Sequence, residues 1–168
     1  MIVRPLRDTE LPELLSLIRA KAEFDGALAS MVATTESLRQ ALFSDRPQAH
    51  ALVAELDGEL VGIATYYAIF SSFISRPGLW MDDLFVYEAH RGKGVGEALV
   101  RQLCAVAKAA GCARVDWVVS AANDRGKKFY SRIGATIFEK GRLARLDEAR
   151  INALAAEPWR PTSKPGRS

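Results

Sequence analysis

Cysteine and histidine are scarce in this chain, two of each among 168 residues. Cys104 and Cys112 have no second pair near them, and His50 and His90 stand apart, so no zinc-ligand spacing can be assembled and no metal is expected. Cys104 falls in an apolar helical pattern, where a free thiol acts as a small buried hydrophobe, and neither cysteine is a candidate nucleophile. Long apolar runs are absent too. Leu60 to Phe70 is well short of the roughly 20 residues that cross a bilayer and contains Gly62 and Thr65, so no membrane-spanning helix is expected. Met1 to Asp8 carries Arg4, Pro5 and Arg7 where a secretory signal has an unbroken apolar stretch, and a cytoplasmic protein is expected. The chain also lacks G-x-S-x-G and G-x-x-x-x-G-K-[ST], the two commonest sequence routes to hydrolase and nucleotidase chemistry.

What is present is an ordinary domain composition, 49% hydrophobic and 26% charged, in a chain long enough to bury its own core without disulfides. One domain over 1–157 and a basic tail over 158–168 are expected. The net charge of +3 is uneven: residues 140–168 hold seven basic and three acidic side chains, leaving −1 for the rest. A basic excess confined to one end, without aromatic residues interleaved through the body, does not indicate nucleic acid.

The periodicities order the elements. Ile2–Pro5 reads as a strand, and Leu11, Leu14, Leu15, Ile18 and Ala22 give a helix one apolar face. A second helix follows over Thr35–Phe43. Ala49–Glu55 and Leu60–Phe70 flank Asp57-Gly58, a tight-hairpin signature. Ser71–Gly78 reads as a loop, Leu79–Val86 as a strand, Gly92–Ala110 as a long helix and Arg114–Val119 as a strand. A helix over Asp124–Ile133, strands at Thr136–Glu139 and Arg142–Leu146, and a helix over Asp147–Ala156 complete the order. This is an α+β chain: a mostly antiparallel mixed sheet of six or seven strands with helices on both faces.

Arg91-Gly92-Lys93-Gly94-Val95-Gly96 joins a strand to the long helix. Glycines permit close backbone approach, the helix start offers unpaired N–H groups, and Arg91 and Lys93 add positive charge, so the turn suits a pyrophosphate. Glu97 stands where a dinucleotide fingerprint needs glycine, and the pattern is R-x-x-G-x-G instead. About 30 residues later comes Asn123-Asp124-Arg125-Gly126-Lys127-Lys128-Phe129-Tyr130, then Gly134-Ala135.

Together, R-x-x-G-x-G and N-x-x-[AG]-x-x-F-Y-x-x-x-G-A resemble the GNAT-fold N-acetyltransferases, which use acetyl-CoA. Arg4-Pro5, Ser71–Gly78 and Asp82-Asp83-Leu84-Phe85-Val86 are most similar to the diamine and thialysine acetyltransferase branch. Ala122 and Gly141 depart from it, standing where that branch commonly has an aromatic and where polyamine-acetylating members have a Trp. The resemblance implies acetyl transfer by direct attack in a ternary complex, onto a primary amine of a diamine, polyamine or amino-acid-like molecule. Phe85 and Val86 would orient the cosubstrate through their backbones, and Arg91, Gly92, Lys93, Gly94, Val95 and Gly96 would hold its pyrophosphate. Asn123 would bond the pantetheine, or act only as a helix cap. Tyr130 would protonate the departing thiolate, an uphill transfer from a phenol near 10 to a thiol near 8.5 unless the site intervenes.

Asp82 and Asp83, as neighbours on a strand, are expected on opposite faces. Carboxylates amid Trp80, Met81, Leu84 and Phe85 need partners or a function. Asp82 is assigned to receive the amine proton, and Asp83, with Glu23, Asp25 and Trp80, to hold the acceptor. A homodimer is implied by the resemblance. The alternatives are a protein or peptide N-acetyltransferase, and a non-catalytic acyl-CoA-binding regulatory module.

Overall fold

The computed structural model describes residues 1–157, so the expected tail over 158–168 lies outside the described residues. Contacts gather into one unit of Met1–Lys127 and a second beginning at Lys128. The first unit is built on a five-stranded sheet in chain order: β1 (Ile2–Pro5), β2 (His50–Leu56), β3 (Glu59–Ser71), β4 (Arg76–Val86) and β5 (Val115–Asp116). Neighbours are antiparallel except β4 and β5, which are parallel.

Two helices cover the sheet. Helix α1 (Leu11–Phe24) takes Pro12 into its first turn, where the missing N–H costs nothing, and buries Leu11, Leu14 and Leu17. These meet Ala51, Val53, Ile63 and Phe85 on one face. The alternate residues Leu52 and Ala54 point to the other face, which α3 (Val95–Ala109) covers with Val95, Leu99, Val100, Leu103 and Ala107. Gly62 permits that approach, since a Cβ there would lie 3.3 Å from Leu99 Cδ1 and 2.9 Å from the Phe85 carbonyl. Cys104, expected to be buried, is exposed one residue past the Leu103 ridge. Helix α2 (Thr35–Phe43) is opened by a reciprocal Thr34–Ser37 cap.

Asp57 and Gly58 both have positive φ, 52° and 86°, and close the β2–β3 hairpin as their sequence requires. Half of the expected loop Ser71–Gly78 is strand instead. Ser71 pairs with Arg76 and Phe70 with Pro77, leaving only residues 72–75 as the turn, with Ser75 at φ 48°. Pro77 is tolerated because it is the second residue of its strand, where the ladder is just beginning.

The second unit carries no strand among its described residues, so the sheet has five strands rather than six or seven. Thr136–Glu139 and Arg142–Leu146 are irregular, with Phe138, Leu143 and Leu146 exposed at 80%, 63% and 55%. Apolar alternation makes a strand only where a partner supplies hydrogen bonds and a face to bury, so the pattern alone does not fix one. Helix α4 (Asp124–Arg132) spans the junction between the units, and α5 (Glu148–Ala156) is capped by the Asp147 carboxylate, which accepts from Arg150 N–H at 2.8 Å.

Candidate active site

The last two strands form a fork. β5 meets β4 only at Leu79–Val115 and Trp80–Asp116. From Met81 to Val86 the same edge of β4 has no strand beside it among the described residues, so Trp80 marks the crotch of the fork. Leu79 N–H donates toward β5, to the Arg114 carbonyl at 3.1 Å. Asp83 N–H donates the other way, to Thr65 Oγ1 at 3.1 Å, and Tyr87 N–H to the Val61 carbonyl at 3.0 Å. Backbone alternation therefore turns Phe85 N–H toward β3, and Leu84 and Val86 N–H toward the open edge. The Phe85 side chain is buried at 6% exposure beneath α1.

The reversal between Leu79 and Asp83 is caused by a β-bulge. Thr65 pairs with Asp83 and Tyr66 with Met81, which leaves Asp82 as the extra residue. The bulge overturns the expectation that the two acids point to opposite faces. Asp83 reaches Thr65 and the α1 residue Lys21, while the charge of Asp82 acts on Tyr67, two residues from Thr65 on the same side of β3. Burial, then the nearby Asp82 charge, push the Tyr67 phenol above its ordinary value. Two carboxylates thus share the α1 side of the sheet next to the fork.

The end of α1 completes this cluster. Lys21 ion-pairs with Asp25 one turn on, and its Nζ lies 3.3 Å from Asp83 Oδ1. Desolvation pulls the Lys21 ammonium down, but the Asp25 hydrogen bond and the two carboxylate charges outweigh it and hold the group above its ordinary value. Glu23 is not brought to the cluster. It is exposed, and Arg19 stands 3.9 Å from it along the helix. Phe24 packs 6.4 Å from the Phe85 ring, and Arg91 lies over both, 4.6 Å from the Phe24 centroid and 5.4 Å from that of Phe85. Arg91 Nε also donates to the Val86 carbonyl at 2.8 Å. This Arg91 arrangement ties the end of α1 to the end of β4 and the start of the glycine turn.

In that turn Gly92 and Gly94 have φ of 77° and 82°, and a Cβ at either would meet nothing within 4 Å. Glycine is required there by conformation, and the space above the backbone is left open for a ligand. Gly94 is the N-cap of α3 and its carbonyl receives Ala98 N–H at 2.9 Å, so the N–H groups of Val95, Gly96 and Glu97 precede the first intrahelical bond. Glu97 would repel an anion at this end, but Arg101 holds its carboxylate at 2.7 Å. Exposed Lys93 adds a positive charge. The turn thus fits the pyrophosphate of acetyl-CoA by conformation, open space and sign of charge.

Asn123 Oδ1 accepts Gly126 N–H at 2.8 Å and its carbonyl accepts Lys127 N–H at 2.9 Å, making Asn123 the N-cap of α4. Gly126 is needed for this, because a Cβ would fall 2.7 Å from Asn123 Nδ2. Tyr130 stands on the same helix, its ring 5.1 Å from that of Phe129. The helix closes with Ala135 N–H bonded to the Tyr130 carbonyl at 3.0 Å and Gly134 at φ 87°. Among the described residues no group of three or more metal-ligating side chains occurs, and no helix is long and apolar enough to cross a membrane.

Two residues here escaped the sequence reading, Lys21 and Thr65. Lys21 had a local signal, an i,i+4 pair with Asp25. Thr65 had none, because its link to Asp83 depends on the register of the bulged hairpin.

A family model described as Acetyltransferase (GNAT) family matches residues 13–135. The thialysine N-epsilon-acetyltransferase of Mus musculus is 29% identical over 141 residues, covering 79% of this chain and 82% of that protein. The L-ornithine N5-acetyltransferase NATA1 of Arabidopsis thaliana is 31% identical over 98 residues, 58% of this chain and 43% of that one. Among solved structures, an integron cassette protein from V. cholerae superposes with a TM-score of 0.75 at 25% identity over 93% of this chain and 98% of its own. An aminoglycoside acetyltransferase in complex with sisomicin has the same fold, with a TM-score of 0.74 at 20% identity over 87% and 95%. The match runs from the first turn of α1 through the close of α4, across the fork, the bulge and the glycine turn, and this chain belongs to the GNAT acetyltransferase family.

Proposed function

We propose that the protein transfers acetyl from acetyl-CoA to a primary amine of a small molecule, by direct attack in a ternary complex. The observation that carries this reading is the edge of β4 beyond Trp80: no strand among the described residues pairs with it, Val86 N–H is directed to it, and the glycine turn of α3 follows, with two carboxylates on the α1 side of the same strand. The names of relatives that act on thialysine and ornithine support a small amine. The acidic cluster at the end of α1 supports a cationic acceptor.

Bound acetyl-CoA supplies an activated acetyl thioester. Gly92, Gly94 and the first N–H groups of α3 hold the pyrophosphate, with Lys93 and Arg91 supplying charge and Val95 and Gly96 the first turn. Val86 N–H stabilises the negative charge that grows on the thioester oxygen, an interaction strongest in the transition state. Asp82 attracts the acceptor, Asp83 meets it as part of a pair with Lys21, and Trp80 lies at the fork between them and β5. A carboxylate also raises the amine pKa, so the cationic acceptor must lose a proton before attack; Asp82, through water, takes it. Asn123 caps the helix that carries Tyr130, and Tyr130 delivers a proton to the departing sulfur. We further propose a homodimer, which sedimentation of an 18.4 kDa particle at micromolar concentration would contradict.

The test is release of free CoA from acetyl-CoA in the presence of single amines. Turnover on a small amine supports the proposal. Turnover confined to peptide amines would instead favour a protein acetyltransferase.

A further inference from the structure

We infer that Lys21 is a specificity-determining residue that favours amines carrying a carboxylate, such as α-amino acids with a side-chain amine, over diamines and polyamines. The inference rests on the amine-acetyltransferase reading and adds the acceptor class. Asp83 looks from sequence like a binder of cations, yet both its oxygens are engaged: Oδ1 faces Lys21 Nζ at 3.3 Å and Oδ2 accepts the Thr65 hydroxyl at 3.1 Å. A second ammonium arriving at Asp83 would stand next to the positive charge of Lys21, which Asp25 also holds in place.

Charge counting points the same way. Asp25 and Asp83 without Lys21 would offer −2, suited to the distal ammonium of a diamine. With Lys21 between them they offer −1, and a positive centre now stands among the carboxylates. An ammonium has three donor protons, and two carboxylate partners leave the third for an incoming acceptor atom. The Lys21 side chain is 22% exposed. A zwitterionic acceptor matches this alternation, its carboxylate meeting Lys21 and its ammonium meeting a neighbouring acid. A diamine brings a second cation next to Lys21, and like charges at such range are strongly unfavourable away from bulk water.

The experiment compares the wild type, Lys21→Gln and Lys21→Arg with L-lysine and putrescine as acceptors. For each protein, kcat/KM is measured by CoA release, and equilibrium binding of each amine is measured by calorimetry without acetyl-CoA. Lys21→Gln is expected to move the lysine-to-putrescine preference toward putrescine by about tenfold or more in both readouts, the loss of one close charge contact. Lys21→Arg, which keeps the charge, retains the wild-type preference within about threefold and guards against a merely structural effect. An unchanged preference in Lys21→Gln, with both amines weakened or spared alike, overturns the inference. Wild-type protein that binds the amines but releases no CoA would contradict the acetyl-transfer reading instead, and the binding ratio would still decide the role of Lys21.

Discussion

Thr65 and Asp83 face one another across β3 and β4 and exchange two hydrogen bonds: the Thr65 hydroxyl donates to Asp83 Oδ2 and accepts from Asp83 N–H, each at 3.1 Å. This pair fixes the register immediately beside the bulge that leaves Asp82 unopposed. Thr65→Val keeps the shape and removes the hydroxyl, stranding a backbone donor and a carboxylate oxygen. A loss of about 1–2 kcal/mol is expected in urea unfolding, with KM for the amine raised and acetyl-CoA affinity retained. Equal loss of both affinities would make Thr65 a fold residue only.

Gly94 and Gly111 flank the two ends of α3 with similar backbone angles, φ 82° and 67°, and open space above each. Alanine at either position carries the same left-handed strain of about 1 kcal/mol. Only Gly94→Ala places a methyl group in the proposed pyrophosphate cradle. It is expected to weaken acetyl-CoA binding at least about tenfold by calorimetry while Gly111→Ala leaves it intact. Matching effects would remove the cradle from the glycine turn.

Tyr130→Phe tests proton delivery to the thiolate. Catalysis of this kind contributes roughly 10²–10⁴-fold, so kcat is expected to fall by about 100-fold or more with acetyl-CoA affinity unchanged. Turnover at the wild-type rate would show that the proton comes from elsewhere.

Arg4 links β1 to Glu10 and Glu55, at 2.6 Å for the Glu10 Oε1 contact, with the side chains of Arg4 and Glu10 only 15% and 16% exposed. The Arg4 hydrogen bond holds the Glu10 carboxyl below its ordinary value of 4.5. The folded form therefore binds its proton less readily than the unfolded chain, so this stabilisation is complete above the ordinary value and fades as pH falls through the lowered one. Stability of the wild type is expected to decline more steeply than that of Glu10→Gln below about pH 4.5. Parallel declines in urea titrations at successive pH values would exclude Glu10 as a source of acid sensitivity.

Local chemistry was legible where the sequence carries its own geometry. Asp57-Gly58 dictates its hairpin, the α1 leucines dictate a buried face, and Gly92 and Gly94 occupy left-handed positions that glycine accepts most readily. Features that depend on distant partners were not legible. The segments read as strands at Thr136–Glu139 and Arg142–Leu146 have suitable alternation yet are irregular, and Ser71, Arg76, Pro77 and Gly78 became strand because β3 and β4 pair there. The acids illustrate both sides: their presence on β4 was plain, but their common side depends on one extra residue in a ladder, and the pairing of Asp83 with Lys21 on the packing of α1.

Acetyl transfer to a small amine at the β4 edge is measured by CoA release from acetyl-CoA across spermidine, putrescine, lysine, thialysine, an aminoglycoside and a basic peptide, with acetyl-CoA binding followed in parallel. The expected result is acetyl-CoA binding together with turnover on at least one small amine, lysine-like acceptors ahead of putrescine and spermidine. Binding without turnover on any small amine would contradict the catalytic assignment, and an absence of binding would contradict the cradle on which it is built.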